Sequence, residues 1–186
     1  MPTRRDCGIG LLPRRGFALG QTDLLPRFLE LTASYSGGNL FFTAPFFDSE
    51  FLERLVSYLP GKTNSFELIV RQPEAAREII EYFWRRSCRS VSVRVAERLH
   101  AKVYIFESPK GDLLAVVGSH NPTVAAITQN LEAGIFVGAK SGCEEWRHLL
   151  ELRNSLRASS NAYLGEITAG ASRRETTHEY SHSINQ

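Results

Sequence analysis

The chain has 186 residues, 42% of them apolar and 23% charged, and a formal net charge of +2. A chain of this size and mixture builds one globular domain around a single core. It is too near neutral to be marked as a nucleic-acid binder by charge alone, and no apolar run approaches the ~18 residues that cross a bilayer.

The first twenty residues carry Arg4, Arg5, Arg14 and Arg15 against one acid, Asp6. They read as a basic arm (1–20) ahead of a near-neutral body, able to touch phosphates or simply to lie solvated. Pro13, Arg14 and Arg15 interrupt its apolar part, which makes a poor signal peptide. Cys7, Cys88 and Cys143 are odd in number and widely spaced, so they define neither a disulfide framework nor a zinc site. The expectation is a soluble, cytoplasmic protein.

From residue 21 helical and strand patterns alternate. DLLPRFLELTASY has helical apolar spacing and stops at Ser-Gly-Gly. NLFFTAPF reads as a short aromatic strand, and DSEFLERLVSYL as a capped helix closing at Pro60-Gly61. SFELIVR is a strand, PEAAREIIEYFWRR a helix with proline at its first position, and SVSVRVA an alternating strand with one polar face. Two apolar strands follow, Leu99–Phe106 and Leu113–Gly118, joined by the turn-rich ESPKGD. A short helix PTVAAITQ, a strand LEAGIFVG and a helix CEEWRHLLELRNSLR complete the body. This order implies an α/β fold, a mixed sheet flanked by helices on both faces, with the two apolar strands in its centre. The domain is expected to span 21–164. The polar segment 165–186 lacks apolar periodicity and reads as an unstructured tail. In that tail His178 and His182 are four apart, but without a third ligand they make no metal site.

The apolar hairpin carries polar residues where a core strand needs none. His100 and Lys102 are two apart and project to one face of a strand. If Phe106 lies opposite Leu113, then Lys102 faces Val117, His100 faces Ser119, and Asn121 joins them at one end of the sheet. A slip by one residue would separate the two pairs. Histidine can serve as nucleophile or general acid/base near neutral pH. Lysine offers a point charge to a phosphate, and serine and asparagine offer neutral donors to anionic oxygens. Such a set suits phosphoryl transfer through a phosphohistidine. Lysine is also the rarer cation here, since 18 of 22 basic residues are arginine.

At these residues the sequence resembles the phospholipase D superfamily, whose signature is H-x-K-x4-D followed by G-S-x-N. Here stand His100-Ala-Lys102, then Gly118-Ser119-His120-Asn121, then Asn130-Leu-Glu132-Ala-Gly134, which is similar to the N-x-E-x-G that follows in the family. The resemblance in element order covers 39–156, and its motifs lie within 99–134. One position departs, because Glu107 occupies the place of the aspartate. The resemblance implies a phospholipase D-like half-domain with His100 as nucleophile. It further implies that Lys102 and Asn121 hold the nonbridging oxygens, with Ser119 in support, and that Glu132 fixes the imidazole's tautomer. It implies no cofactor and no metal.

Family enzymes use two such motifs, and this chain has one His-x-Lys. The resemblance therefore implies a homodimer with a single composite site across a two-fold axis. Arg85, Arg86, Arg89, Arg94 and Arg98 form a row leading toward the site, of which Arg94 and Arg98, with His120, are read as substrate-binding. The expected activity is a metal-independent phosphodiesterase acting on nucleic acid, with larger partner subunits a further option. Two other readings remain open: a phospholipid-headgroup hydrolase, and a non-catalytic nucleic-acid-binding or assembly subunit of the same fold.

Overall fold

A computed structural model describes residues 17–18, 24–58, 63–85, 90–130 and 132–163. Most of the arm, Arg86, Arg89, Cys88 and the 165–186 tail with His178 and His182 lie outside the described residues. The elements are β1 (Phe17–Ala18), α1 (Leu24–Ala33), β2 (Gly38–Thr43), α2 (Ser49–Tyr58), β3 (Thr63–Val70), α3 (Pro73–Arg85) and β4 (Ser90–Val95). They continue with β5 (Val103–Glu107), β6 (Leu113–Gly118), α4 (Val124–Thr128), β7 (Gly134–Ala139), α5 (Glu144–Ala158) and β8 (Asn161–Ala162). Strand β1 falls inside the stretch read as an arm and pairs with the sheet edge.

All strands join one sheet of order β1-β7-β6-β5-β2-β3-β4-β8. Strands β2, β3 and β4 run parallel, and every other neighbouring pair is antiparallel. The mixed sheet follows from the connections: α2 and α3 return the chain for parallel pairing, while a tight turn joins β5 to β6 and the α4-bearing segment joins β6 to β7, each antiparallel. As the apolar runs imply, β5 and β6 are interior strands. Alternation along each strand feeds two cores. Leu40, Phe42, Leu68, Val93, Tyr104 and Phe106 face α1, α2 and α3. Phe41, Ile69, Val103, Ile105 and Ala115 face α5, whose Leu149 is buried against them. Helices thus cover both faces.

The hairpin register differs from the expectation by one residue. Phe106 pairs with Leu114, and Leu113 pairs with Glu107. The reason lies in the turn. Ser108 closes it, donating its amide to the Asp112 carbonyl (2.9 Å) and accepting the Asp112 amide on its hydroxyl (3.1 Å). Gly111 adopts a φ of +81°, which glycine reaches without a Cβ penalty. Three residues with a left-handed glycine are a favoured hairpin loop, and that loop sets the pairing. Strand β5 also begins at Val103, so His100 and Lys102 precede the strand instead of lying on it.

Candidate active site

The chain runs outward from β2 in two directions: β3 and β4 on one side, β5, β6 and β7 on the other. The carboxyl ends of the parallel strands β2, β3 and β4 share one edge of the sheet, and the carboxyl ends of parallel strands are a recurrent ligand location in α/β folds. After β4 the chain turns at Glu97-Arg98 and crosses this edge to reach β5. His100 and Lys102 lie on the crossing. Thr43, at the end of β2, grips it from below: its buried hydroxyl donates to the Ala101 carbonyl (3.2 Å) and accepts from the Val103 amide (3.1 Å).

The second motif reaches the same edge from β6. The Gly118 amide donates to the Lys102 carbonyl (3.2 Å), so Lys102 lies opposite Gly118 and not Val117. Gly118 in turn pairs with Gly134 of β7. A Cβ on Gly118 would meet the Ala133 oxygen at 2.4 Å, and one on Gly134 would meet the Val117 oxygen at 2.9 Å. The glycines of the two motifs are therefore needed for the backbones to approach this closely. Past them the Ser119 amide donates to the Ala133 carbonyl (2.8 Å), and the Ala133 amide returns to the Ser119 hydroxyl (3.0 Å).

The polar side chains divide into engaged and open groups. The Ser119 hydroxyl donates its one proton to Glu132, so its support of the site passes through that carboxylate. Asn130 donates to the other Glu132 oxygen (3.2 Å). Glu132 is 6% exposed and precedes β7 instead of opening it. Among the described residues its hydrogen-bond donors are these two and not the His100 imidazole, which differs from the tautomer-fixing contact the resemblance implies. The Lys102 ammonium rests on the His100 carbonyl (3.1 Å). The His100 side chain is exposed and makes no hydrogen bond or ion pair with the described residues. Asn121 holds its Oδ1 buried, again without a hydrogen-bond partner among them.

The substrate-binding expectations divide similarly. Arg98 is exposed in the turn two residues before His100. Arg94 is drawn away: it donates to the Ser160 hydroxyl (2.7 Å), the Ser160 carbonyl (2.7 Å) and the Arg157 carbonyl (3.1 Å), closing the end of α5. It sits three strands from Val103 in the same row, roughly 14 Å at ~4.8 Å per strand. Arg85 ends α3, one strand length away at the opposite edge, and pairs with Glu81 (3.6 Å), so it does not continue a row into the site. His120 is 0% exposed, which removes it from direct contact with a substrate.

Two positioning residues escaped the sequence reading. Tyr104, two residues after Lys102 and fully buried, donates its hydroxyl to the His120 carbonyl (2.6 Å) and so ties β5 to the Ser119–Asn121 turn. Burial, and after it the charge of Glu132, hold this phenol well above its ordinary range and keep it a donor. Asp48 accepts from the Phe51 amide at the start of α2 and from the Val124 amide (2.8 Å) at the start of α4, while its own amide donates to the Pro122 carbonyl (3.2 Å). The sequence marks Asp48 as a cap, but its second grip spans 76 residues and carries no local signal.

Comparison with solved structures adds the architecture's name. The described sheet superposes on a phospholipase D family member, Nuc, from Salmonella typhimurium with a TM-score of 0.52 at 16% identity, covering 75% of this chain and 90% of that one. The fold is phospholipase D-like. A mutant of yeast tyrosyl-DNA phosphodiesterase gives a TM-score of 0.53 at 14% identity over 77% of this chain and 36% of its own. TrmBL2, described as an archaeal chromatin protein with a novel mode of DNA binding, gives 0.52 at 10% identity over 83% of this chain and 56% of its own. No protein-family model and no curated protein sequence matches the chain. Within this phospholipase D-like frame the departure at Glu107 has a structural meaning. Glu107 pairs with Arg153 of α5 (2.9 Å), at the end of β5 away from His100, seven residues or roughly 23 Å of extended chain distant. Among the described residues no helix is long and apolar enough to cross a membrane.

Proposed function

We propose that the protein is a phosphodiesterase acting on nucleic acid, with His100 as nucleophile and one composite site per homodimer. The observation that carries this reading is a histidine whose side chain is exposed and, among the described residues, makes no hydrogen bond or ion pair, on the sheet edge where Lys102 meets the Gly118–Asn121 turn. The Salmonella and yeast structures sharing the fold bear names from phosphodiester chemistry, which agrees with the assignment.

In this reading an imidazole nitrogen of His100 attacks phosphorus, a P–N bond forms, and the P–O bond to the leaving strand breaks. His100 of the partner subunit protonates the leaving oxygen as a general acid. It then takes a proton from water, which attacks the phosphohistidine and releases His100 as the P–N bond breaks. Lys102 and the Asn121 amide hold the nonbridging oxygens where negative charge develops. Ser119 and Asn130 fix Glu132, and Arg98 contributes charge toward the phosphate backbone. The arm, the cytoplasmic location and any larger partner subunits belong to the same proposal.

The non-catalytic reading drew its support from Glu107, and the Glu107–Arg153 pair accounts for that residue without reference to catalysis. The deciding assay is cleavage of DNA and RNA in excess EDTA. Cleavage that persists in chelator and disappears in His100→Ala supports the proposal. Loss of activity on chelation, or its survival in the variant, overturns it, and turnover of phospholipid vesicles alone transfers the mechanism to a lipid substrate.

A further inference from the structure

The loop between β2 and α2 joins two residues that each hold one half of the site. Thr43 fixes the His100–Lys102 crossing, and Asp48 fixes the segment following Asn121. Between them the chain carries two adjacent phenylalanines that it treats differently. Phe47 packs against the core, whereas Phe46 turns outward and is 53% exposed. Phe46 lies three residues from Thr43 and two from Asp48, so its Cα is within about 11 Å of one and about 7 Å of the other. The other exposed large apolar residues among the described ones lack this combination. Trp84 lies in the last turn of α3 at the opposite sheet edge, and Ile135 is aliphatic.

Phe46 is an aromatic ring more than half exposed, on a loop anchored at both ends beside the proposed phosphate-binding edge. Its planar face suits one planar partner. A bilayer surface would engage several apolar side chains together, and here a single ring stands between two backbone anchors. We propose that Phe46 is the platform on which a base adjoining the scissile phosphate stacks, so that the substrate presents an unpaired or flipped base at this point. The inference rests on the phosphodiesterase reading and narrows its substrate. Stacking on an aromatic face tolerates any base sequence, so Phe46 contributes affinity for exposed bases without sequence preference.

The test compares two labelled oligonucleotides of equal length, one with natural bases and one abasic, by fluorescence anisotropy on the full chain in a His100→Ala background that prevents turnover. Phe46→Ala should weaken binding of the natural strand about 5- to 150-fold, the range of one lost base–aromatic stack. The abasic strand should bind both proteins alike, Phe46→Trp should restore the difference, and sedimentation should not change. Equal loss on both strands, or no loss on either, overturns the proposal. So does a shift in sedimentation, which would make Phe46 a contact with a second copy, or a selective loss of phospholipid-vesicle binding. A chain that binds the natural strand through Phe46 but does not cleave it with His100 intact would sink the catalytic reading and leave the stacking role standing.

Discussion

The two ends of β5 treat polar side chains in opposite ways. At the far end Glu107 pairs with Arg153, while in neighbouring parts of the same face Arg157 clasps Glu67 and lies over the Phe41 ring at 5.6 Å, and Arg94 binds the last turn of α5. Every one of these charges is engaged, and each ties α5 to the sheet. At the near end the backbone is heavily anchored by Thr43, Tyr104 and Asp48, yet among the described residues the exposed His100 side chain makes no hydrogen bond or ion pair. The far end of β5 is thus structural, its polar groups satisfying each other, whereas the near end leads into an anchored backbone from which the His100 side chain is exposed. Preorganised groups on a fixed frame are what electrostatic catalysis requires.

That contrast can be broken by substitution at either end. The largest effect is expected at the near end: His100→Ala should lower phosphodiester cleavage by about a thousandfold or more with little change in thermal stability. A fall in activity only in step with unfolding would make His100 structural. Next, Gly118→Ala should destabilise by about 1–3 kcal/mol through overpacking against the Ala133 carbonyl, measured by denaturant unfolding. Tyr104→Phe should cost about 1–2 kcal/mol, since a buried carbonyl loses its donor, and should lower kcat more than it raises KM because the Ser119–Asn121 turn loosens. The smallest effect is expected at the structural end. Glu107→Ala should cost about 1 kcal/mol or less and leave kcat unchanged, and a large loss of kcat there would erase the distinction between the two ends.

Tyr104 also gives the contrast a pH signature. Its phenol is raised in the folded state, so the unfolded chain ionises first, near the usual value of about 10. Above that pH the unfolded state binds fewer protons than the folded one, and stability falls as pH rises. The stabilisation is fully present below pH 10, and Tyr104→Phe should flatten the alkaline limb of the stability curve.

Most of the frame was legible in the sequence because apolar periodicity and turn residues are local signals. The 3.6-residue spacing of Leu24, Leu25, Phe28 and Leu29 and the alternation of Val91 and Val93 each settle an element within a few residues. The motif residues were legible because polar side chains stood in apolar runs. What escaped was long-range. The hairpin register hinged on Gly111 adopting a positive φ, and the one-residue slip moved Lys102 from Val117 to Gly118. Arg94 read as part of a basic row, yet its partners lie more than sixty residues away. Pairing across such distances is written in the folded geometry and not in any window of sequence.

The central claim is that two copies of His100 meet in one site. Co-expression of wild-type chains with His100→Ala chains in varied proportion tests it directly. A composite site needing both imidazoles gives activity that follows the square of the wild-type fraction, about one quarter at equal mixture for freely assorting chains in a two-fold dimer. Activity in direct proportion to that fraction, with half remaining at equal mixture, would mean that each chain acts alone and would contradict the account.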